Sequence, residues 1–169
     1  MKQVIFFTIV LGAITTQVNA RGKRPDLALW LARSCVGEAG WNSADTGECA
    51  AIAWVYHKRS YNFPRRDYFK TMMEYSAAIK PDPRRPWIRR LTRRGDRPPL
   101  LETNIYWGKH QKKWFKVLEV ADNFFRGRVT DPCPDCLHYG GHFDKKRMDL
   151  TIWRVAKTPD FNNLFFERR

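Results

Sequence analysis

The sequence predicts an α+β domain, mostly helical, with a small β element near the C-terminus. Apolar residues recur at helical spacing in four stretches between Leu27 and Arg126. Two short apolar and aromatic runs follow, Thr151–Ala156 and Leu164–Glu167, the second behind an Asn-Asn turn. The length of 169 residues suits one domain and not two.

Each element has its own signal. Asp26 caps a helix that carries Leu27, Trp30, Leu31, Ser34 and Cys35 at helical spacing. Asp45 with Glu48 three residues on resembles a capping box, and the helix it opens shows Cys49, Ile52, Ala53 and Tyr56 on one face. Phe63-Pro64 interrupts the chain. Asp67 then opens a third helix through Phe69, Met72, Met73 and Ala77, which Pro81-Asp82-Pro83 terminates. Between Pro81 and Pro99, seven arginines (Arg84, Arg85, Arg89, Arg90, Arg93, Arg94, Arg97) and flanking prolines predict a solvated loop around Trp87, with room for a short helix. A long helix is expected over 111–126 through Trp114, Val117, Leu118, Ala121 and Phe125, with Gly127 as its C-terminal cap.

Composition narrows the class. With 43% hydrophobic and 14% aromatic residues the chain is too apolar for a charged disordered tail, although its formal net charge is +14. Lys2, the apolar stretch Val4–Ile14 and the small residues around Val18-Asn19-Ala20 follow the pattern of a secretory signal peptide cleaved near Ala20; the alternative is an uncleaved N-terminal anchor. Residues 21–169 are then the mature domain, expected in the periplasm or the medium. In an exported chain the even set Cys35, Cys49, Cys133 and Cys136 reads as disulfides. Three pairings are open, and closeness in sequence favours Cys35–Cys49 with Cys133–Cys136. His138 and His142 behind the second pair leave zinc as an alternative, at a spacing tighter than fingers or ribbons use.

One carboxylate stands out. At 100° per residue Glu38 lies about 20° from Leu27 and Leu31 and about 40° from Ser34 around the helix axis, so it leaves the apolar face. It does so between Gly37 and Gly40, where the backbone has freedom to open. Partial desolvation and the negative end of the helix dipole oppose ionisation there, which suits a general acid near neutral pH. The competing reading is that the helix ends at Gly37 and Glu38 points into water.

The stretch Leu31-Ala-Arg-Ser-Cys-Val-Gly-Glu38-Ala-Gly-Trp41 resembles the opening of the SleB-type cell wall hydrolases, the spore-cortex-lytic enzymes and their relatives, where a helix ends in Ala-Glu-Ala-Arg-Gly-Glu and the first Glu is catalytic. Gly47-Glu-Cys-Ala-Ala-Ile-Ala-Trp-Val-Tyr-His-Lys58 is similar to that family's next helix, and Phe63-Pro64 follows at a familiar distance. Asp131-Pro-Cys with Leu137-His-Tyr139, and Phe161-Asn-Asn-Leu-Phe-Phe-Glu167, look like its two closing segments. The likeness covers 27–64 and 131–167. It departs where the family's second Glu gives way near Trp41-Asn42, where the Thr before His-Tyr is Leu137, and where Asn-Arg becomes His57-Lys58.

The resemblance implies a lysozyme-like fold, peptidoglycan glycan strands as substrate, no cofactor, and lytic transglycosylase chemistry with Glu38 as the single acid. Muramidase-type hydrolysis is the alternative and needs a second carboxylate, for which Asp45, Glu48, Glu74 and Asp144 are candidates. His138 and Tyr139 are expected beside the cleft, or else as packing residues; His142 and Asp144 are weaker candidates. Trp41 and Trp107 are the aromatic candidates for sugar stacking, against a core role. The segment Arg84–Arg97 suits anionic envelope polymers, or only solubility; nucleic acid would bind without specificity, and a monomer is expected. Two other classes compete: a non-catalytic cationic wall-binding protein, and a secreted zinc hydrolase or nuclease.

Overall fold

The computed structural model describes residues 26–44, 47–61, 67–81, 83–93, 105–141, 145–146, 148–158 and 161–169, with side chains omitted at 43 and 105–109. The α+β expectation holds. Helices α1 (Leu27–Ser43), α2 (Gly47–Tyr61), α3 (Tyr68–Tyr75) and α4 (Ile105–Phe125) precede strands β1 (Cys136–Gly140), β2 (Trp153–Val155) and β3 (Leu164–Arg168). The strands form one antiparallel sheet in the order β1-β3-β2, with His138 opposite Phe166 and Val155 opposite the same residue. Among the described residues no helix is long and apolar enough to cross a membrane. The proposed signal peptide, Phe63-Pro64 and Asp45 lie outside the described residues.

The core forms where the apolar stripes meet. Leu31 and Cys35 of α1, Cys49, Ile52, Ala53 and Tyr56 of α2, Trp114, Val117 and Ala121 of α4, and Phe165 of β3 are all fully buried. Asp26 accepts from the Leu29 N–H at 3.0 Å and Asp67 from the Lys70 N–H at 2.7 Å, the two N-terminal caps read from sequence. Gly127 adopts φ 68° behind α4, as a C-terminal cap does. Both short disulfides form, Cys35–Cys49 between α1 and α2 and Cys133–Cys136 at the start of β1.

Three elements differ from expectation. Helix α4 starts at Ile105, one to two turns before the expected start, and its last aromatic, Phe125, is 38% exposed instead of buried. Helix α3 stops at Tyr75, because Ser76 turns to extended geometry (φ −88°, ψ 109°) and carries the chain back across α1. The arginine segment, within its described residues 83–93, carries the short helix foreseen and exposes Arg84, Arg89 and Arg90, but it is not solvated throughout. Ile88 and Leu91 are buried around a 3₁₀ turn, Ile88–Arg90. Arg33 donates to the Leu91 carbonyl at 2.6 Å, and the Trp114 indole N–H donates to the Thr92 carbonyl at 2.7 Å. Arg93 pairs with Asp26 at 2.6 Å and with Asp122 at 2.9 Å. Those ion pairs are partly exposed and contribute up to about 1 kcal/mol each, whereas burying Ile88 and Leu91 contributes roughly 1.5–3 kcal/mol apiece. Apolar burial therefore anchors this strap.

Helix α1 is broken once, at Gly40 (φ 71°, ψ 173°), a conformation open to glycine almost alone. The kink removes the helical partners of the preceding turn, and side chains replace them. Arg85 donates to the Gly37 carbonyl at 3.0 Å, Asn163 to that of Glu38 at 3.1 Å, and Asn162 to that of Ala39 at 2.5 Å. The Asn-Asn turn is itself held by Glu48, fully buried in the first turn of α2. Its oxygens accept from the Asn162 N–H at 2.9 Å, the Asn163 N–H at 2.9 Å and the Asn163 side-chain amide at 2.8 Å. Charge-assisted bonds of this kind offset the cost of burying a carboxylate. Replacing Gly40 by Ala is expected to lower stability by about 1–3 kcal/mol through backbone strain, and Glu48→Ala by about 3 kcal/mol or more through orphaned donors; urea unfolding measures both.

Candidate functional site

Glu38 sits in the last turn of the unbroken part of α1, two residues before Gly40, and is half-buried. Its Oε1 accepts two hydrogen bonds, from the Ser76 hydroxyl at 2.7 Å and the Ala78 N–H at 3.2 Å. Oε2 has no partner among the described residues. Both donors belong to the chain that leaves α3. That chain lies so close to α1 that a Cβ built on Gly37 would stand 2.1 Å from the Ala78 Cβ. Gly37 thus lets the donors approach, and Gly40 lets the helix turn aside.

Behind Glu38 runs a line of hydroxyls. Ser76 accepts a hydrogen bond from the Ser34 hydroxyl at 2.9 Å, Ser34 is 2.7 Å from the Tyr56 phenol, and Tyr56 is 2.5 Å from the Tyr139 phenol. Each hydroxyl owns one proton. Ser76 spends its own on Glu38 and Ser34 spends its own on Ser76, so Tyr56 must donate to Ser34 and Tyr139 to Tyr56. The line has one sense, from Tyr139 to Oε1. Bonds aligned head to tail polarise one another, and they make Oε1 a pure acceptor. When the carboxyl group carries a proton, that proton belongs on Oε2.

The phenols are kept neutral. Burial, then the Glu38 carboxylate, pushes the Tyr56 ionisation far up. Burial also dominates for Tyr139, followed by Tyr56 and Glu38, and it raises Tyr68, which packs edge-on to Tyr56. His138 moves the other way: burial, then the Arg59 charge, lowers it to about 4, so its imidazole is neutral near pH 7.

The residues named from sequence fall into different places. Tyr139 joins the Glu38 line directly. His138, beside it on β1, contacts the Arg59 guanidinium and meets the Trp153 ring edge-on at 4.4 Å between centroids. Trp41 lies just past the Gly40 kink, half-buried, stacked on His110 at 4.7 Å and on Trp87 at 5.8 Å. Its indole N–H is buried with no acceptor among the described residues. Trp107 is on α4, but its side chain, like His142 and Asp144, lies outside the described residues. Among the candidate second carboxylates, Glu48 is enclosed by the Asn162–Asn163 turn and has no access to water, and Glu74 is exposed on α3. The cysteines are consumed in disulfides, so no thiolate pair is available for zinc. Among the described residues no cluster of three or more His, Cys, Asp or Glu forms.

Ser34, Tyr56, Ser76 and Ala78 were not named as site residues from sequence. Two of them carried a signal: Ser34 and Tyr56 are polar groups on otherwise apolar helix faces, and buried hydroxyls need partners. A cleft of about 500 Å³ between the Cys133–Cys136 loop and strands β2 and β3 is lined by Asp135, Arg154, Lys157 and Glu167 and does not include Glu38.

The site defines a class of arrangement: an α+β domain that presents one carboxyl group with one oxygen fixed and the other open. Comparison of the chain with family models, curated proteins and solved structures finds no match.

Two measurements follow from the phenols. In a spectrophotometric titration, Tyr56, Tyr68 and Tyr139 should ionise only as the protein unfolds. Because all three shifts are upward, their contribution to stability is complete below about pH 10, where unfolded tyrosine begins to ionise, and is lost as pH rises beyond it. Tyr56→Phe interrupts the line and should cost about 1–3 kcal/mol in urea unfolding.

Proposed function

We propose that the chain is an exported peptidoglycan-cleaving enzyme that acts as a lytic transglycosylase, with Glu38 as its only proton-transfer group. The observation that carries this reading is the asymmetry of the Glu38 carboxyl group: Oε1 receives Ser76 and Ala78, while Oε2 is open.

A transglycosylase needs one such group and uses it twice. Oε2 gives its proton to the oxygen joining N-acetylmuramic acid to N-acetylglucosamine as the C1–O bond breaks. The resulting carboxylate then takes the proton of the muramic C6 hydroxyl, whose oxygen bonds to C1 and closes a 1,6-anhydro ring. The proton is returned, no water is consumed, and the line of hydroxyls holds Oε1 in place throughout. Hydrolysis would require a second carboxylate at a defined separation. Glu48, the only one of its candidates within the core among the described residues, is committed to the Asn162–Asn163 turn. The exposed Arg84, Arg89 and Arg90 of the strap supply the attraction to an anionic envelope, which added salt weakens.

Clearing of a purified murein suspension, with mass spectrometry of the released fragments, tests this. Wild type should release muropeptides with anhydro ends, and Glu38→Gln should lower the rate at least about 100-fold, the usual scale of general acid catalysis, while still sedimenting with murein. Reducing muramic ends would replace the reading by muramidase action. Intact glycan after binding would replace it by a non-catalytic wall protein.

A further inference from the structure

Arg59, in the last turn of α2, is 9% exposed, and among the described residues no carboxylate faces it. Its Nε donates to the Leu137 carbonyl at 2.6 Å, its Nη2 meets the His138 imidazole, and its guanidinium carbon lies 4.0 Å from the centre of the Tyr75 ring. These neighbours are neutral. They solvate the cation in part and leave its charge uncompensated, and burial works against that charge. Arg59 lines a cavity of about 40 Å³ together with Val55, Tyr75, His138 and Tyr139. Such a volume admits a small polar group or a water or two and excludes a sugar ring. The cavity also abuts the Glu38 arrangement at two points. Tyr139 heads the hydroxyl line, and Tyr75 immediately precedes Ser76, the donor to Oε1.

We propose that this cavity is a subsite for a carboxylate of the glycan strand, with Arg59 as its counter-ion. The assignment rests on the peptidoglycan reading and adds a substrate class to it, namely strands that present a free carboxylate near the scissile bond. With Nε on the Leu137 carbonyl and Nη2 on His138, the guanidinium offers a carboxylate its charge and the Nη1 donors, and a neutral His138 beside it adds no competing cation. Two carboxylates have this chemistry: the lactyl group of strands stripped of peptide, and the carboxylates of an attached stem.

The mature protein is titrated with acetate, and with acetamide as the uncharged control, while the His138 ring signals are followed by NMR. Acetate should shift them saturably and acetamide should not, and Arg59→Gln should weaken acetate at least tenfold while Arg59→Lys retains part of the affinity. In parallel, cleavage is compared for stripped strands, stem-bearing strands, and stripped strands whose lactyl groups are amidated. Strands carrying the recognised carboxylate should be cut at least tenfold faster than amidated ones, and whichever of the first two is preferred identifies the source. Equal rates on all three, or no response to acetate, would overturn the subsite and leave cleavage standing. Binding of acetate through Arg59 without cleavage of any strand would keep the anion site and discard the enzyme. Should Arg59→Gln fail to fold, the acetate and acetamide titrations of wild type still decide.

Discussion

The arrangement around Glu38 depends on satisfying the carbonyls that the Gly40 kink releases. A helix that bends away from its own axis strands the acceptors of the turn before the bend, and buried acceptors without donors are costly. Arg85, Asn163 and Asn162 fill these positions from two remote parts of the chain. The consequence is geometric. The turn that carries Glu38 is fixed from outside as well as by its own helix, and the carboxyl group is aimed by the strap and by the C-terminal turn together.

Glu48 supports this from below. It is a carboxylate used for construction, enclosed and saturated, whereas Glu38 keeps one oxygen open. The two acids lie ten residues apart in sequence on disulfide-linked helices, yet their surroundings differ in kind. Ser34 and Tyr56, on the facing stripes of those helices, then connect the core to the site: the same close packing that excludes water keeps the phenols neutral and the hydroxyl line directional.

Much of this could be read from the chain. The caps at Asp26 and Asp67, the Gly127 terminus, the buried faces of α1 and α2 and the Asn-Asn turn all have local signatures, and local chemistry decides them. The pairing of the cysteines followed from short separation. Strand β1 escaped because Cys-Leu-His-Tyr-Gly has neither clear alternation nor a flanking signal beyond a disulfide loop, and its pairing with β3 is a long-range event. The strap escaped because its arginines and prolines outnumber the two apolar residues, Ile88 and Leu91, that anchor it. At the site, Glu38 was visible through its angular position and its flanking glycines. Ser76 and Ala78 were not, since their role comes from where α3 stops and from how closely the chain beyond it passes Gly37. Arg59 looked like an ordinary basic residue in a last helical turn, and only burial without a countercharge among the described residues marks it out.

The Cys35–Cys49 bond has an implication for the order in which the molecule is completed. It couples α1 to α2 using residues from the first third of the chain, whereas the amides that occupy the Glu38 and Ala39 carbonyls come from Asn162 and Asn163, close to the last residue. A chain emerging N-terminus first would carry a crosslinked helical hairpin with an unfinished carboxyl site until its final strand arrived. Assembly of the scaffold and completion of the Glu38 surroundings are thereby separated in time, and the Asn162–Asn163 turn acts as the latch.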